Sequence, residues 1–246
     1  MQPDRTLRIS VLYPTLLNIY ADRGNLLFLK RRCEWRGFGF KINSVGVGDP
    51  LEPAATDMIY LGGGQDRDQE LCAADLLTTK SKAIAECHSD GKPILAVCGG
   101  YQLLGRGYEV TDRTIPGIGI ADFDTVRSPG ERLVGPVAIR TDLQGPTDGL
   151  LVGFENHAGR TVLDRNQTAL GKVVSGHGNN GKDRLEGYRD GNLIGTYLHG
   201  PLLPKNWWFA DWLIAAALGL STAELKPLED KLERSAHLEA AKAAGV

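Results

Sequence analysis

An apolar run over residues 93–97 leads directly into Cys98, Gly99 and Gly100. A short apolar run that ends in small residues is typical of a buried strand that turns sharply into a helix. The glycines allow the backbone to bend tightly and allow another molecule to approach the sulfur of Cys98. The free N–H groups at a helix N-terminus also favour a thiolate. The segment therefore predicts a nucleophilic cysteine on a strand-to-helix turn, although taken alone it also fits a buried structural cysteine.

The first half of the chain alternates short apolar runs with segments of helical periodicity. Strands are predicted over residues 7–13, 40–45, 58–61 and 93–97, and helices over 25–36 and 69–86. This alternation is typical of α/β folds, in which helices cover both faces of a mostly parallel sheet. Ligands of such sheets bind at the carboxyl ends of the strands, where Cys98 and the glycines of residues 62–64 fall. We predict a three-layer α/β fold whose site lies at that edge.

The second half of the chain has a different sequence pattern. Between residues 118 and 200, short β-like runs are broken by glycine, aspartate and asparagine. Strands are predicted over residues 118–126, 134–141, 150–154, 170–174, 185–188 and 193–197. Such runs between turn residues predict a strand-rich half. We expect it to belong to a single domain that spans residues 1–220.

Two helical segments are predicted near the C-terminus. The first covers residues 205–218 and its spacing favours packing in the core over a place in an interface. It carries four aromatic side chains, Trp207, Trp208, Phe209 and Trp212. The second is a helical tail over residues 221–246, in which Ser221 and Glu224 have the spacing of a capping box. Pro227 is expected in the first turn of a further helix in this tail.

Composition excludes several kinds of function. The chain has 246 residues, of which 42% are hydrophobic and 24% charged, and its formal net charge is −2. This balance supports a substantial core and argues against nucleic acid or an anionic membrane surface as the main partner. The four cysteines form no C-x-x-C pair, so neither a zinc site nor a disulfide framework is expected. Without a signal-peptide core or a long apolar stretch, a cytoplasmic protein is expected.

A cysteine nucleophile needs a base, and the five histidines differ in how well they are placed for that role. His199 follows the β-like run 193–197, which places it at a strand end on a tight turn. His157 lies in a polar turn and is a second candidate for the rim of the site. His88 and His237 are expected to be solvated surface residues.

Acyl transfer also needs hydrogen-bond donors for the negative charge that develops on the substrate oxygen. The backbone N–H groups of Gly63 and Gly64 can supply them together with the N–H of Gly99, because glycine lets backbone groups converge. The alternative is a tight turn between strand and helix without a catalytic role.

Six segments carry motifs that match a known family. They are Tyr-Pro-Thr-Leu-Leu-Asn-Ile-Tyr-Ala-Asp-Arg-Gly-Asn (13–25), Leu-Gly-Gly-Gly-Gln-Asp (61–66), Cys-Gly-Gly-Tyr-Gln (98–102), Gly-Phe-Glu-Asn-His-Ala-Gly-Arg-Thr (153–161), Gly-Asn-Asn-Gly (178–181) and Thr-Tyr-Leu-His-Gly (196–200). Together they resemble the class I, triad-type glutamine amidotransferases of the cobyric-acid-synthase-like branch. The resemblance extends from residue 7 to about residue 215. The cysteine motif identifies only the superfamily, whereas segments 13–25 and 153–161 point to glutaminase subunits that act on lipid II with a Mur-ligase-like protein, MurT.

The resemblance implies a fold and roles for individual residues. The fold is that of class I glutamine amidotransferases. Cys98 would attack the side-chain carboxamide of glutamine, His199 would act as general base and then acid, and the glycines named above would surround the oxyanion. Gln102 matches a position that contacts the bound glutamine. Arg132 resembles an arginine that holds the substrate, and a guanidinium suits an α-carboxylate because it can donate two parallel hydrogen bonds.

One part of the family pattern is missing. The third member of the triad is usually an acid two residues after the histidine, but His199 is followed by Gly200 and Pro201. An acid normally fixes the tautomer of the histidine and supports the imidazolium. Either Cys98 and His199 work as a dyad or another element supplies the carboxylate. For this subfamily the resemblance suggests an aspartate of the partner subunit.

Residues 176–182 look like a nucleotide-binding motif but lack its context. They satisfy G-x-G-x-x-G and nearly satisfy the P-loop pattern. However, Asp183 stands where a serine or threonine would bind the metal, and a strand-like run follows where a helix is required. We predict a hairpin or surface loop there. No cofactor site is expected in this chain, and ATP and Mg²⁺ are expected on the partner.

The implied function is hydrolysis of glutamine to glutamate and ammonia. A MurT-like partner in a heterodimer would use the ammonia with ATP to amidate the D-glutamate of lipid II during peptidoglycan biosynthesis. Two alternatives stay open: the glutaminase component of another cobyric-acid-synthase-like amidotransferase, and a non-catalytic binding subunit with the same fold.

Overall fold

The computed structural model describes residues 5–18, 23–128, 130–143 and 145–246. Residues 19–22 of the motif at 13–25 lie outside the described residues, as does Pro129 in the segment before Arg132. The strands are β1 (Thr6–Leu12), β2 (Gly39–Val45), β3 (Met58–Leu61), β4 (Ile94–Val97), β5 (Gly107–Glu109), β6 (Thr114–Pro116), β7 (Phe123–Arg127), β8 (Leu133–Arg140), β9 (Leu150–His157), β10 (Gly159–Leu163), β11 (Gly171–Ser175), β12 (Leu185–Glu186), β13 (Tyr188–Asp190) and β14 (Leu193–Thr196). The α-helices are α1 (Arg23–Trp35), α2 (Asp66–Asp75), α3 (Ser81–Ser89), α4 (Gly99–Gln102), α5 (Leu202–Lys205), α6 (Trp207–Ala217) and α7 (Lys231–Ala243).

A six-stranded sheet combines four strands of the first half with β13 and β14 of the second half, in the order β13-β14-β4-β3-β1-β2. All its neighbouring strands are parallel except β13, which pairs antiparallel with β14 at one edge. β3, β4 and β14 are buried along their whole length, as expected for the middle of a covered parallel sheet. The predicted α/β fold with a mostly parallel sheet is confirmed.

The predicted helix 69–86 is longer and interrupted. It consists of α2, a π-helical segment Leu76–Lys80, and α3. The side chain of Lys80 is turned into the interior, where it pairs with Asp75. Asp75 also accepts a hydrogen bond from the hydroxyl of Tyr13 at 2.6 Å. A lysine with no exposed surface needs such a partner, and periodicity does not reveal one.

The second half contains two further four-stranded sheets, ordered β10-β7-β5-β6 and β12-β11-β8-β9. The predicted strand-rich character is confirmed. Strands β5, β6 and β10 were not predicted, because two of them have only 3 residues and the third continues from β9 after one residue. The predicted strand 118–126 is shorter, since β7 begins at Phe123. The N–H groups of residues 118–120 instead bond to carbonyls of residues 103–105.

The predicted helix 205–218 corresponds to α6, which begins at Trp207, and a break at Asn206 separates α6 from the short helix α5 before it. The Asn206 side chain accepts a hydrogen bond from the N–H of Val152 at 2.9 Å and donates one to its carbonyl at 2.7 Å, which ties the break to β9. The aromatic residues of α6 pack in the core as predicted. Trp207, Trp208 and Phe209 are buried and Trp212 is partly buried.

The C-terminal tail differs from its prediction in where its helix begins. The Ser221–Glu224 capping box is present, but α7 begins at Lys231, so the placement of Pro227 in a first helical turn is wrong. The stretch before α7 is not helical because it brings Asp230 to Arg32 of α1, at 2.8 Å. Helix α7 contacts α5, β8 and β9. A domain boundary at residue 220 stays a prediction.

His237 of α7 is buried, so the expectation of a solvated side chain is wrong. Its Nδ1 lies 2.8 Å from the carbonyl oxygen of Lys205, and its ring meets that of Trp207 edge-on. The contact arises because α7 packs back onto α5 and α6. His88 is partly exposed and lies 3.1 Å from the carboxylate of Asp190. No helix in the described part of the chain combines the length and apolarity needed to cross a lipid bilayer.

Candidate active site

The cysteine motif adopts the predicted strand-to-helix turn. Cys98 follows β4 directly and precedes the single turn α4. Its φ of 51° and ψ of −105° form a conformation that residues other than glycine rarely adopt. Strain of this kind persists only where the surroundings impose it. The N–H of Cys98 is held at 2.9 Å by the carbonyl of Thr196 in β14, so the sulfur is fixed at the carboxyl edge of the sheet.

His199 reaches the same edge from the neighbouring strand. In the parallel pair β4 and β14, Val97 lies opposite Thr196, so Cys98 and His199 both follow the carboxyl ends of adjacent strands. The backbone of His199 exchanges two hydrogen bonds with Phe154 of β9, at 2.9 and 3.2 Å. These bonds hold the histidine against the sheet of the second half. The structure therefore brings the two predicted catalytic residues to adjacent strand ends.

The two glycine segments lie side by side. A Cβ on Gly99 would fall 2.9 Å from the backbone nitrogen of Gly64. Position 99 therefore requires glycine if the two loops are to lie this close together. The N–H of Gly100 donates to the carbonyl of Gly62 at 3.1 Å and ties the two loops together. Gly63 is buried in the same loop. The arrangement fits a pair of converging N–H donors, while the role of each glycine in an oxyanion hole stays a prediction.

A small cavity of about 40 Å³ lies beside Cys98. It joins elements from both halves of the chain. Its lining residues are Asp66, Gln69, Cys98, Gln102, Tyr108, Arg127, Arg132, His157 and Ala158. Three of the predicted site residues thus share one cavity. A larger cavity of about 640 Å³ lies along β8 and β11 and contains none of the predicted site residues.

Arg132 and Gln102 both line this cavity and are held in place by hydrogen bonds. Arg132 is exposed, and its Nε and Nη2 donate to the side-chain oxygen and the carbonyl of Asn156, each at 2.8 Å. Gln102 is buried and donates from Nε2 to the hydroxyl of Tyr197 at 3.1 Å. The predicted substrate-binding residues are therefore placed where a ligand of Cys98 would meet them.

His157, the second histidine candidate, forms part of the cavity wall. It ends β9 and is 1% exposed, so it is more deeply placed than the rim position that we expected. Its Nδ1 lies 2.7 Å from the carbonyl oxygen of Gly159. Its ring stacks on the ring of Tyr197, with 3.6 Å between centroids and 3° between planes.

Both site histidines are neutral at physiological pH. Burial, and then the positive charges of Arg132 and Lys205, lower the pKa of His199 to about 4. Burial lowers the pKa of His157 to about 3. A neutral imidazole can accept a proton, which a general base must do. The cations beside His199 disfavour its protonated form, which a carboxylate brought close to it would stabilise.

A His157→Phe variant is expected to lack the part of the pH dependence of stability that comes from His157. The unfolded histidine has a pKa of about 6.5 and the folded one a pKa of about 3. Between these values the unfolded chain binds more protons, so His157 destabilises the fold as the pH falls. The variant should lack about 2 kcal/mol of the change in unfolding free energy between pH 7 and pH 5. Urea denaturation of both proteins at both pH values measures this.

Measuring parent and variant at both pH values removes the contribution of Glu186 to the pH dependence of stability, which is opposite in sign to that of His157. Burial raises the pKa of that carboxyl to about 8, so its contribution to stability declines as the pH rises through this range. It is present in both proteins and cancels. Identical pH dependence in parent and variant would mean that His157 protonates freely in the folded chain.

The glycine-rich segment 176–182 is a loop between β11 and β12, as predicted. Its donor groups are already used by the buried carboxylate of Glu155. This carboxylate accepts from the N–H of His177 at 2.7 Å and from the N–H of Gly178 at 2.8 Å. A phosphate would compete with a fixed negative charge there. The N–H groups of His177 and Gly178 are therefore already engaged within the fold, whereas the expectation that this chain holds no cofactor stays a prediction.

Two residues of the site were not assigned a role from the sequence. Asn156 holds Arg132, and Tyr197 connects Gln102 with the ring of His157. Both belong to motifs that were noted, at 153–161 and 196–200. Their position within these motifs could have indicated that they belong to the site. Their contacts could not be predicted, because they join residues that are far apart in the chain.

Comparison with known proteins agrees with this geometry. The CobB/CobQ-like glutamine amidotransferase domain family matches residues 8–207. Subunit GatD of lipid II isoglutaminyl synthase (glutamine-hydrolyzing) from Staphylococcus aureus (strain N315) is 40% identical over 214 residues, 87% of this chain and 85% of that protein. The GatD of Streptococcus pneumoniae (strain ATCC BAA-255 / R6) is 38% identical over 86% of this chain and 80% of that protein. A cobyric acid synthase from Methylorubrum populi is 33% identical over 82% of this chain but only 41% of its own length.

Solved structures share the fold at lower identity. PurLQS from Thermotoga maritima has a TM-score of 0.54 and 21% identity, covering 78% of this chain and 87% of that chain. A glutamine amidotransferase from Thermotoga maritima has a TM-score of 0.52 and 16% identity, covering 97% and 94%. These likenesses support the predicted architecture. With the family match over most of its length, the chain belongs to the CobB/CobQ-like glutamine amidotransferases.

Proposed function

We propose that this chain is the glutaminase subunit of a lipid II isoglutaminyl synthase, which releases ammonia from glutamine for an ATP-dependent, Mur-ligase-like partner. Relatives of that name match most of the chain and are themselves matched over most of their length. The observation that carries the proposal is the placement of Cys98 and His199 at the ends of the paired strands β4 and β14. In the proposal, glycine N–H groups of the adjacent loops donate to the oxyanion that acyl transfer forms.

Cys98 is the nucleophile in the proposed reaction. His199 takes the thiol proton, and the sulfur attacks the carboxamide carbon of glutamine. The carbonyl oxygen becomes an oxyanion that accepts hydrogen bonds from the glycine N–H groups. When the C–N bond breaks, His199 gives its proton to the leaving nitrogen, so ammonia departs and a γ-glutamyl thioester remains. Water, deprotonated by His199, then attacks the thioester, and glutamate leaves as the proton returns to sulfur.

Arg132 and Gln102 hold the substrate in this proposal. Asn156 orients the Arg132 guanidinium at the cavity, where it can pair with the α-carboxylate of glutamine. Gln102, four positions after Cys98 in the chain, contacts the remainder of the substrate. Orientation by such groups lowers the barrier because the reacting atoms meet in a fixed geometry.

The partner completes the site and consumes the ammonia. The charges of Arg132 and Lys205 oppose a protonated His199, and no acid follows this histidine at the usual spacing. A carboxylate of a MurT-like partner in a heterodimer would offset those charges and orient the imidazole. ATP and Mg²⁺ bind to the partner, which activates the carboxylate that receives the ammonia. The proposed complex acts in the cytoplasm.

The proposal is tested by assaying the chain with and without its co-purified partner. We expect slow release of ammonia from glutamine by the chain alone and a rate at least about tenfold higher for the complex, because the partner's acid supports the imidazolium. The complex should also transfer the amide nitrogen of glutamine to lipid II in the presence of ATP. Equal rates with and without the partner would contradict the proposal that the partner supplies the acid that supports His199. No ammonia release in either case would contradict the glutaminase activity.

A further inference from the structure

His157 lies in the wall of the Cys98 cavity and carries a buried ring nitrogen that can accept a hydrogen bond. The carbonyl of Gly159 can only accept a hydrogen bond, so the Nδ1 that lies 2.7 Å from it carries the proton. In a neutral imidazole the other nitrogen, Nε2, then holds a lone pair. This Nε2 is buried and has no hydrogen-bond partner in the described part of the chain. A buried acceptor without a partner needs an explanation. His157, unlike His237, whose Nε2 also lacks a partner among the described residues, lies in the wall of the cavity beside Cys98.

The surroundings of His157 fix its ring in one orientation. The ring lies flat against Tyr197, whose hydroxyl bonds to Gln102 at 3.1 Å and to Thr161 at 2.8 Å. Gly159 makes this arrangement possible, because a Cβ there would fall 2.7 Å from the methyl carbon of Thr125 and would overlap the amide of Gln102. The imidazole therefore cannot turn to find another partner without breaking this cluster.

We propose that Nε2 of His157 accepts a hydrogen bond from the carboxamide N–H of the bound glutamine and thereby distinguishes substrate from product. The inference rests on the proposed glutaminase function. It assigns a specificity-determining contact to a residue of the cavity wall that the reaction steps above do not use. Residues 157, 98 and 102 line one cavity, as the contact requires.

The chemistry of the two ligands explains the discrimination. The carboxamide of glutamine has two N–H donors in addition to the carbonyl oxygen, which accepts hydrogen bonds from the glycine N–H groups. The carboxylate of glutamate has no hydrogen on either oxygen at neutral pH, so one oxygen would face the lone pair of Nε2. Burial keeps the pKa of His157 low, so the ring does not become a donor for that oxygen. Glutamine is therefore favoured and glutamate is released.

The test compares an amide with an ester. Glutamate γ-methyl ester has the same acyl group as glutamine but no N–H at the leaving group. In the complex with the partner, His157→Phe should lower kcat/KM for glutamine by about tenfold to a hundredfold, the range expected when a buried hydrogen bond is lost. Its kcat/KM for the ester should change by less than about threefold. His157→Gln, which can present an oxygen near the position of Nε2, should recover part of the glutamine activity.

His237→Phe is the matched control. His237 is also buried, also directs Nδ1 to a backbone carbonyl and also packs against an aromatic ring, but it lies in α7 away from the cavity. It should leave the ratio of amide to ester hydrolysis unchanged. Inhibition by glutamate provides a second readout, since the His157→Phe variant should bind glutamate as tightly as the parent or more tightly.

Alkylation of Cys98 by diazo-oxo-norleucine separates the possible failures. This glutamine analogue has no carboxamide N–H, so His157→Phe should be labelled at the parent rate. Equal losses for glutamine, ester and labelling would overturn the inference and assign His157 a purely structural role. If His157→Phe does not fold, the same ratios are measured with His157→Leu, which also lacks an acceptor, and an unchanged ratio of amide to ester hydrolysis in that variant would overturn the inference. A parent complex that hydrolyses neither amide nor ester would instead overturn the proposed function.

Discussion

A Cys98→Ala variant is expected to lose at least about a thousandfold of the glutaminase activity of the complex. Without the sulfur no thioester can form, and the remaining groups only assist direct attack by water. The change removes one buried atom from a turn that the backbone hydrogen bond to Thr196 continues to hold. Ammonia release from glutamine measures the activity, and size-exclusion chromatography measures whether the partner still binds. Activity above about a tenth of the parent would contradict the role of Cys98 as nucleophile.

A Cys98→Gly variant provides a control that separates chemistry from backbone strain. Both variants should be inactive, but the glycine variant should exceed the alanine variant in unfolding free energy by about 1 kcal/mol. Glycine adopts a φ of 51° without steric penalty, whereas alanine keeps the strain that cysteine has at this turn. Chemical denaturation of the two variants measures the difference. A higher unfolding free energy for the alanine variant would contradict the backbone strain at residue 98.

Arg32→Met is expected to give the largest loss of stability, about 3–5 kcal/mol in unfolding free energy. Arg32 has no exposed surface. It donates two hydrogen bonds to Asp211 at 2.6 and 2.7 Å and a third to Asp230 at 2.8 Å. Removal of the guanidinium leaves the largely buried Asp211 with Arg36 alone, at 2.8 Å, and deprives Asp230 of its bond to Arg32, which is the costly case for a buried ion pair. Urea denaturation followed by tryptophan fluorescence gives the midpoint and the slope.

The neighbouring Arg31 of α1 is the matched control. It pairs with Glu34 at 3.0 Å but its side chain is 66% exposed, and exposed pairs contribute little because solvent screens them. Arg31→Met should therefore cost less than about 0.5 kcal/mol. In an Asp211→Asn background the cost of Arg32→Met should fall, because one of the stranded charges is already absent. Equal costs for the two arginines would contradict the buried network.

Much of the fold could be derived from local patterns. β3 coincides with its predicted residues, and β1, β2, β4 and β14 differ by a residue at their ends. Hydrophobic runs between turn residues are strong signals because a buried parallel strand must be apolar on both faces. Short strands such as β5 gave no such signal, and a pattern of 3 residues cannot be distinguished from a turn. The π-helical segment within the predicted helix 69–86 also has no periodic signature.

Most residues of the candidate site could be predicted from the sequence, whereas the contacts that hold them in place could not. Cys98 and His199 could be selected because each follows an apolar strand, and parallel strands end at one edge. The contact of Arg132 with Asn156 and the stack of His157 on Tyr197 depend on how the second half folds over that edge. His237 was misplaced for the same reason, since nothing near it in the chain indicates that α7 packs on α5.

Residue type and spacing alone therefore predict the α/β class, the strand-to-helix turn at Cys98 and the place of His199 after the neighbouring strand, because these depend on interactions over a few residues and on the parallel order of strands. Only the folded chain decides which charges are buried together and which buried acceptor in the cavity wall lacks a partner among the described residues. Arg32 meets Asp211 and Asp230 across 179 and 198 positions. Contacts over such separations form when the layers close on one another, and no local pattern encodes them.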